Sequence, residues 1–280
     1  MVSNKQRRQA AQRHLQRQLE RRAAQQRARR RNLLIGGTVA AVVVVVGAAL
    51  LITTTGGDDD STAAASSSAA TTSAAAAPTP GPGAERAGQT TTAGACTYTY
   101  DAQGSSGTVA VDAPSGDLPT GTQAETIATS AGDIGVTLDY TGPGVCAAES
   151  FSTLAAQGYF DGTICHRLTT SDGLKVLQCG DPSGTGTGGP GYSFPTAVDG
   201  SETYGRGVLA MANSGQGTDG SQFFLVYGDS QLTPDYTVFG TIDEAGLGVL
   251  DQVAAVGTAD GSQDGQPATP VTITGVTPSA

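Results

Sequence analysis

Residues 96–280 predict a mainly β domain, a closed antiparallel barrel of about eight short strands capped by two helices. Three observations carry that prediction. Short strand-like runs recur along the whole stretch, bounded by Gly, Asn, Asp or Ser. Only two segments show helical spacing, and they stand far apart. Two apolar runs, Val208–Ala212 and Gln222–Val226, frame a long loop of turn-forming residues, and two strands so joined can border a groove. Phe223 and Phe224 are adjacent, so on a strand one enters the core while the other faces a surface.

Three segments of different texture precede this domain. Residues 1–32 carry Lys5 and ten arginines against Glu20 alone; everything beyond carries Arg86, Arg167, Lys175 and Arg206 against 24 acids. The formal net charge of −10 therefore conceals an arm near +10 and a remainder near −20. So acidic a remainder argues against a nucleic-acid partner, because phosphate binding needs Lys and Arg. The arm reads as a basic helix with too few apolar residues to build a core, a topology signal before a lipid- or nucleic-acid-binding element. Leu33 to Ile52 is an uncharged run of 20 residues. About 20 apolar residues span a bilayer core, whereas a cleaved signal peptide has an apolar region of about 7–15. Arg27 to Arg31 precede it and Asp58-Asp59-Asp60 follow, which places the N-terminus in the cytoplasm and the domain outside a single-pass cell-membrane anchor. Residues 53–95, rich in Ala, Ser, Thr, Pro and Gly, have almost nothing to bury and are expected to form a disordered tether.

Within the domain, Thr97–Tyr100 and Thr108–Val111 are the first strand candidates. Thr126–Thr129 and Ile134–Leu138 read as a hairpin turning at Ser130–Asp133. Ala147 to Gln157 has Phe151, Leu154 and Ala155 at helical spacing, with Gly158 as the stop. Thr163–Leu168 and Lys175–Cys179 follow as strands, then a glycine-rich loop from Gly180 to Gly191. After the two runs around the groove come a strand at Thr237–Thr241, a second helix from near Asp243 with Leu247, Leu250 and Val253 inward, and a closing strand at Val271–Val276.

Familiar chemistries are poorly supported. Gly184-Thr185-Gly186-Thr187-Gly188-Gly189 matches GxGxxG, but Pro190, Gly191 and Pro195 follow, so no helix opens for a dinucleotide. His166 is the only His outside the arm and no GxSxG elbow is present, which disfavours a Ser-His-Asp hydrolase; nothing selects one carboxylate pair among 24 acids. Cys96, Cys146, Cys165 and Cys179 contain no CxxC, so zinc is weakly signalled and disulfides are favoured outside the membrane. Three pairings are open; Cys165 with Cys179, on neighbouring expected strands, and Cys96 with Cys146 is the working choice. Arg167 sits inside a strand-like apolar segment, where an arginine is either ion-paired or placed for a ligand.

Five further motifs stand in order: Cys165-His166-Arg167, Gln178-Cys179-Gly180-Asp181, Gly207 to Asn213 (GVLAMAN), Gly220 to Phe224 (GSQFF) and Thr237 to Gly240 (TVFG). With the glycine loop they resemble the cyclophilins, a family of peptidyl-prolyl cis–trans isomerases, over roughly Thr126 to Val256, most of all its membrane-anchored or secreted bacterial members. The resemblance implies a cyclophilin-like barrel, a monomer, no cofactor or metal, and proline-containing secreted or envelope polypeptides as partners. It implies that Arg167 donates to the prolyl nitrogen, that Gln178 holds Arg167, and that His166 stands nearby to orient groups. It implies a peptide-binding groove from Met211, Ala212, Asn213, Gln222, Phe224, Leu232, Tyr236 and Val176. Departures are Lys175 at the place of a pocket Phe, with Leu174 as its substitute, Val176 for a Met, Tyr236 for a His, and Gln231 for a Trp, which implies weak cyclosporin binding. The alternative reading is a non-catalytic proline-peptide-binding module or holdase using the same groove.

Overall fold

The computed structural model describes residues 81–107, 110–215 and 217–279. The basic arm, the apolar run 33–52 and residues 53–80 of the expected tether lie outside the described residues, as do Thr108 and Val109; Ala110 and Val111 belong to no strand. No helix among the described residues is long and apolar enough to cross a membrane.

In chain order the elements are a 3-10 turn at Ala84–Arg86, strands β1 (Thr90–Ala93), β2 (Cys96–Tyr100), β3 (Thr122–Thr129) and β4 (Gly132–Asp139), helix α1 (Val145–Ala156), strands β5 (Arg167–Thr169), β6 (Lys175–Cys179), β7 (Tyr192–Ser193), β8 (Val208–Met211), β9 (Phe223–Gly228) and β10 (Val238–Ile242), helix α2 (Glu244–Val256), and strands β11 (Asp264–Gly265) and β12 (Ile273–Pro278). Both helices bury the stripe their spacing predicts: Ala147, Ala148, Phe151 and Leu154 on α1, Leu247, Leu250 and Val253 on α2. Asp243 caps α2, its carboxylate accepting from Gly246 N at 2.6 Å, which satisfies an amide that has no partner inside the helix. Beyond α1, Gly158 takes φ +67°, a left-handed conformation that a side chain disfavours.

Nine antiparallel strands form one curled sheet in the order β11-β5-β6-β9-β8-β10-β4-β3-β12. The expected closed barrel of about eight strands is thus corrected to a nine-stranded half-barrel. Its two sides meet through an Ile164–Thr272 bridge and the backbone bonds Cys165 N to Val271 O and Ile273 N to Thr163 O, because the chain before β5 runs beside β12 for only a few residues. A second, three-stranded sheet, β1-β2-β7, stands apart.

That second sheet corrects the tether boundary. β1 lies inside the stretch whose composition predicted disorder. Backbone pairing with β2 needs no apolar residues, and Arg86 anchors the turn by donating to Asp112 Oδ1 at 2.6 Å and lying 4.1 Å from the Tyr100 ring centroid. Below it Tyr98 meets Tyr192 and Phe194 edge-on, at 5.8 and 5.4 Å between centroids. Two disulfides close, Cys96–Cys146 and Cys165–Cys179. The first ties β2 to α1; the second joins the approach to β5 with the end of β6.

The apolar residues divide into two clusters on opposite faces of β6, β8 and β9. Leu177, Leu209, Met211, Phe223 and Leu225 join the main core, whereas Val176, Ala210, Phe224 and Val226 form a smaller cluster with Tyr204. Period-two alternation along each strand makes that division. The smaller cluster is the floor of a groove.

Candidate functional site

Over that floor opens a cavity of about 210 Å³. Val176 comes from β6 and Phe224 from β9; Leu174, Leu232 and Tyr236 wall it from the flanking loops, with Ala212 and Asn213 along one rim. The Phe224 and Tyr236 rings meet perpendicularly at 5.5 Å. Tyr204 fixes Tyr236 by donating its hydroxyl to Tyr236 O and accepting from Tyr236 N, both at 2.9 Å. Lys175 does not line the cavity, its Nζ lying 3.9 Å from Asp172 Oδ1, while the Ser171–Leu174 turn delivers Leu174 to it.

Arg167 and Gln178 stand above the floor as register partners on β5 and β6. Arg167 Nη1 donates to Gln178 Oε1 at 3.2 Å, and Nε and Nη2 donate to Asp264 Oδ1 and Oδ2 at 2.7 Å each. The two-toothed pair fixes the guanidinium plane, which a lysine could not match. Its consequences agree on both partners: hydrogen bonding raises the arginine further above its usual value and holds the Asp264 carboxyl below its own. The side chain stays 38% exposed, open to a ligand. From Gln178 the chain of bonds continues through Nε2 to Gln222 Oε1 and from Gln222 Nε2 to Gly188 O, each 2.9 Å.

A larger cavity of about 500 Å³ shares Gln178, Ala212 and Asn213 with the first. Its remaining wall is built mostly of glycines and of hydroxyl and amide side chains, with the 186–190 loop, Tyr192 and Gln222 among them and Asp101, Gln103, Gly104 and Ser106 contributed by the 101–106 turn. The loop owes its shape to Asp181, which is fully buried. Its carboxylate accepts from the backbone amides of Ser183, Thr185, Gly186 and Gly188 and from the Ser183 hydroxyl. Burial pushes its pKa up, yet these bonds outweigh burial and hold it down. The amides a phosphate would need are therefore already bound to a carboxylate.

The family model for cyclophilin type peptidyl-prolyl cis-trans isomerase/CLD matches residues 125–278, more than half of the chain. The chain belongs to the cyclophilin family. It is 54% identical over 160 residues to the probable peptidyl-prolyl cis-trans isomerase B of Mycobacterium tuberculosis (strain H37Rv), covering 53% of this chain and 52% of that one. It is 41% identical over 131 residues to a Helicobacter pylori peptidyl-prolyl cis-trans isomerase, covering 46% and 78%. A crystal structure of a Cryptosporidium parvum cyclophilin type peptidyl-prolyl cis-trans isomerase matches with a TM-score of 0.50 at 30% identity, over 57% of this chain and 98% of that one. The chain spans about half the length of the mycobacterial relatives it matches.

Of the residues expected at the cyclophilin site, Arg167, Gln178, Val176, Ala212, Asn213, Phe224, Leu232 and Tyr236 line the smaller cavity, and Gln222 lines the larger. Met211 and His166 line neither. Met211 points into the main core at 1% exposure, correcting its expected place in the groove: it alternates with Ala212, as Phe223 does with Phe224. His166 lies buried beneath Gly186 with no hydrogen bond to either ring nitrogen among the described residues, and burial lowers its pKa. The sequence reading missed Asp264, Tyr204 and Asp219. Asp219, fully buried, accepts from Asn213 Nδ2 at 3.2 Å and from the hydroxyls of Thr196 and Thr237 at 2.7 and 2.6 Å, so the Asn213 side chain is held and its backbone presented. Their partners lie 6 to 97 residues away along the chain, and no local pattern marks them.

Proposed function

We propose that this cyclophilin domain is a peptidyl-prolyl cis–trans isomerase acting on proline-containing polypeptides. Rotation about an X–Pro bond breaks no covalent bond and needs neither nucleophile nor metal. Its obstacle is amide resonance, a barrier of about 18–20 kcal/mol that makes the uncatalysed step take tens to hundreds of seconds. Resonance falls away as the prolyl nitrogen becomes pyramidal and accepts a hydrogen bond. The prolyl ring would rest on Phe224, Leu232 and Val176, with the peptide backbone along Ala212 and Asn213. Arg167 would then supply the donor. Every ~1.4 kcal/mol of interaction gained only in the twisted state is worth tenfold in rate. Asp264 and Gln178 are positioning residues, because they reach the reacting bond only through the guanidinium.

One observation carries the reading: a guanidinium, still partly exposed, fixed over an apolar floor. We further propose that residues 33–52 anchor the chain in the cell membrane with the domain outside, that residues 53–80 act as a tether, that the domain works as a monomer, and that its substrates are secreted or envelope proteins.

The test compares wild type with Arg167→Ala in a protease-coupled assay on a proline peptide, alongside direct binding of the same peptide. The expected loss in kcat/KM is about 10²–10³-fold, the usual cost of removing one transition-state donor, with peptide affinity nearly kept. Equal rates in the two proteins would reject the enzyme reading. Binding without turnover in either would favour the binding module or holdase.

A further inference from the structure

We propose that Asp101, which the segment before the family match adds to the lining of the larger cavity, selects for a basic side chain of the bound polypeptide. The proposal rests on the isomerase reading for its substrate and extends it to sequence preference. Three observations support it.

The first is construction. The family match begins at residue 125, yet Asp101, Gln103, Gly104 and Ser106 line this cavity. They are held there by definite bonds: β2 pairs with β7, Asp101 N donates to Gly191 O at 2.9 Å, Ser106 N to Gly189 O at 2.9 Å, and Gly189 N to Ser106 Oγ at 3.0 Å. A segment outside the family match is thus laced to the glycine-rich loop and forms the outer wall.

The second is charge. Asp101 is the single ionisable acid or base among the acidic and basic residues lining the cavity. Its Oδ1 accepts from Gln103 N and Gly104 N at 3.0 and 3.1 Å, and Oδ2 forms no hydrogen bond among the described residues. No basic residue of the domain neutralises it. Arg86, Arg167, Lys175 and Arg206 each lie within 4.0 Å of another carboxylate: Asp112, Asp264, Asp172 and Asp251.

The third is continuity. Ala212 and Asn213 border both cavities, so one extended chain crossing them can place a prolyl ring in the small cavity and a nearby side chain in the large one. Successive residues of an extended chain face opposite sides, so that side chain belongs to a residue about two positions from the proline rather than to its immediate neighbour. The larger space admits a long side chain whose aliphatic stem crosses the wall and whose cation reaches Asp101; lysine and arginine are built this way. The same carboxylate would repel an acidic residue.

The test scans Lys, Leu and Glu through each position from three before to three after the proline, measuring both kcat/KM and binding at low ionic strength. One position should favour Lys over Glu by about five- to tenfold, combining an exposed-pair attraction with a like-charge repulsion. The preference should shrink with added salt. Asp101→Asn keeps the turn-capping oxygen and should bring the ratio to near one; Asp101→Lys should invert it. A Lys preference that survives Asp101→Asn, or none at any position, overturns the proposal. The two readings fail separately: isomerisation without charge preference sinks this one alone, and Lys-selective binding without isomerisation sinks only the catalytic reading.

Discussion

The two cavities share a ridge and little else. The smaller, about 210 Å³, has a floor and flank of Leu174, Val176, Phe224, Leu232 and Tyr236 beside the polar groups of Arg167, Gln178 and Asn213, all within the cyclophilin match. The larger, about 500 Å³, is lined by loop residues, mostly glycines, hydroxyls and amide side chains with one carboxylate, part of it from the segment before that match. A catalytic floor must present one geometry to every prolyl ring, so it is made of strands whose alternation fixes each side chain. A selecting wall can be built from loops and an added sheet, since it acts by charge and shape rather than by sub-ångström placement. The two disulfides repeat the division. Cys165–Cys179 flanks Arg167 and Gln178, and Cys96–Cys146 fastens the added sheet to α1.

Removing the disulfides one at a time breaks this comparison most strongly. The Cys96–Cys146 link closes 50 residues and the other 14, for which loop entropy gives about 4 and about 3 kcal/mol of stability respectively. Against a usual total of about 5–15 kcal/mol, either loss is easily read by urea unfolding. The functional signatures should differ. Cys96→Ala/Cys146→Ala should weaken selection between basic and acidic peptides while the folded fraction still isomerises a neutral one. Cys165→Ala/Cys179→Ala should lower kcat/KM for every peptide. Indistinguishable kinetics in the two variants would mean that the walls are not separable.

A smaller effect should follow from Asp264→Asn, which keeps an acceptor beside Arg167 but removes its charge. A hydrogen bond to a charged partner contributes about 1 kcal/mol more than a neutral one, so kcat/KM should drop about fivefold, through kcat rather than KM. Asp264→Glu should recover part of that loss. A purely structural role would instead show as a lower unfolding midpoint with unchanged kcat.

Much of the fold was legible because it is local. Alternation set Phe223 and Phe224 on opposite faces, the resemblance chose Phe224 for the groove, and helical spacing gave both helices to within a few residues. The same alternation argument, applied to Met211 beside Ala212, would have sent Met211 to the core; motif resemblance overrode it. The acids were illegible. Asp264 lies 97 residues beyond Arg167, on a strand of two residues, and nothing near it in sequence distinguishes it from the other acids. β1 was illegible for another reason. Thr90–Ala93 has the composition of a linker and is ordered by backbone pairing and by Arg86, neither of which leaves a hydropathy signal.

The weakest expected effect concerns pH and separates His166 from the chemistry. Its pKa is lowered, by burial first, and both ring nitrogens lack partners, so the folded protein holds the ring neutral. The unfolded chain protonates it near pH 6.5, so below that value the unfolded state binds more protons than the native one. The stability contribution is therefore complete above about pH 6.5 and is lost as pH falls through the lower folded value. Asp264 behaves alike in sign but at more acid pH: its stabilising pair with Arg167 persists until the carboxylate is protonated below the ordinary range. Between pH 6 and 8 neither Asp264 nor Arg167 changes charge, so kcat/KM should stay flat while the urea midpoint declines slightly toward the acid side. His166→Phe should abolish that decline and leave the flat rate profile in place. A bell-shaped or sigmoidal rate profile centred near pH 6.5, lost in His166→Phe, would return the histidine to the catalytic group and erase the boundary drawn between buried ring and open groove.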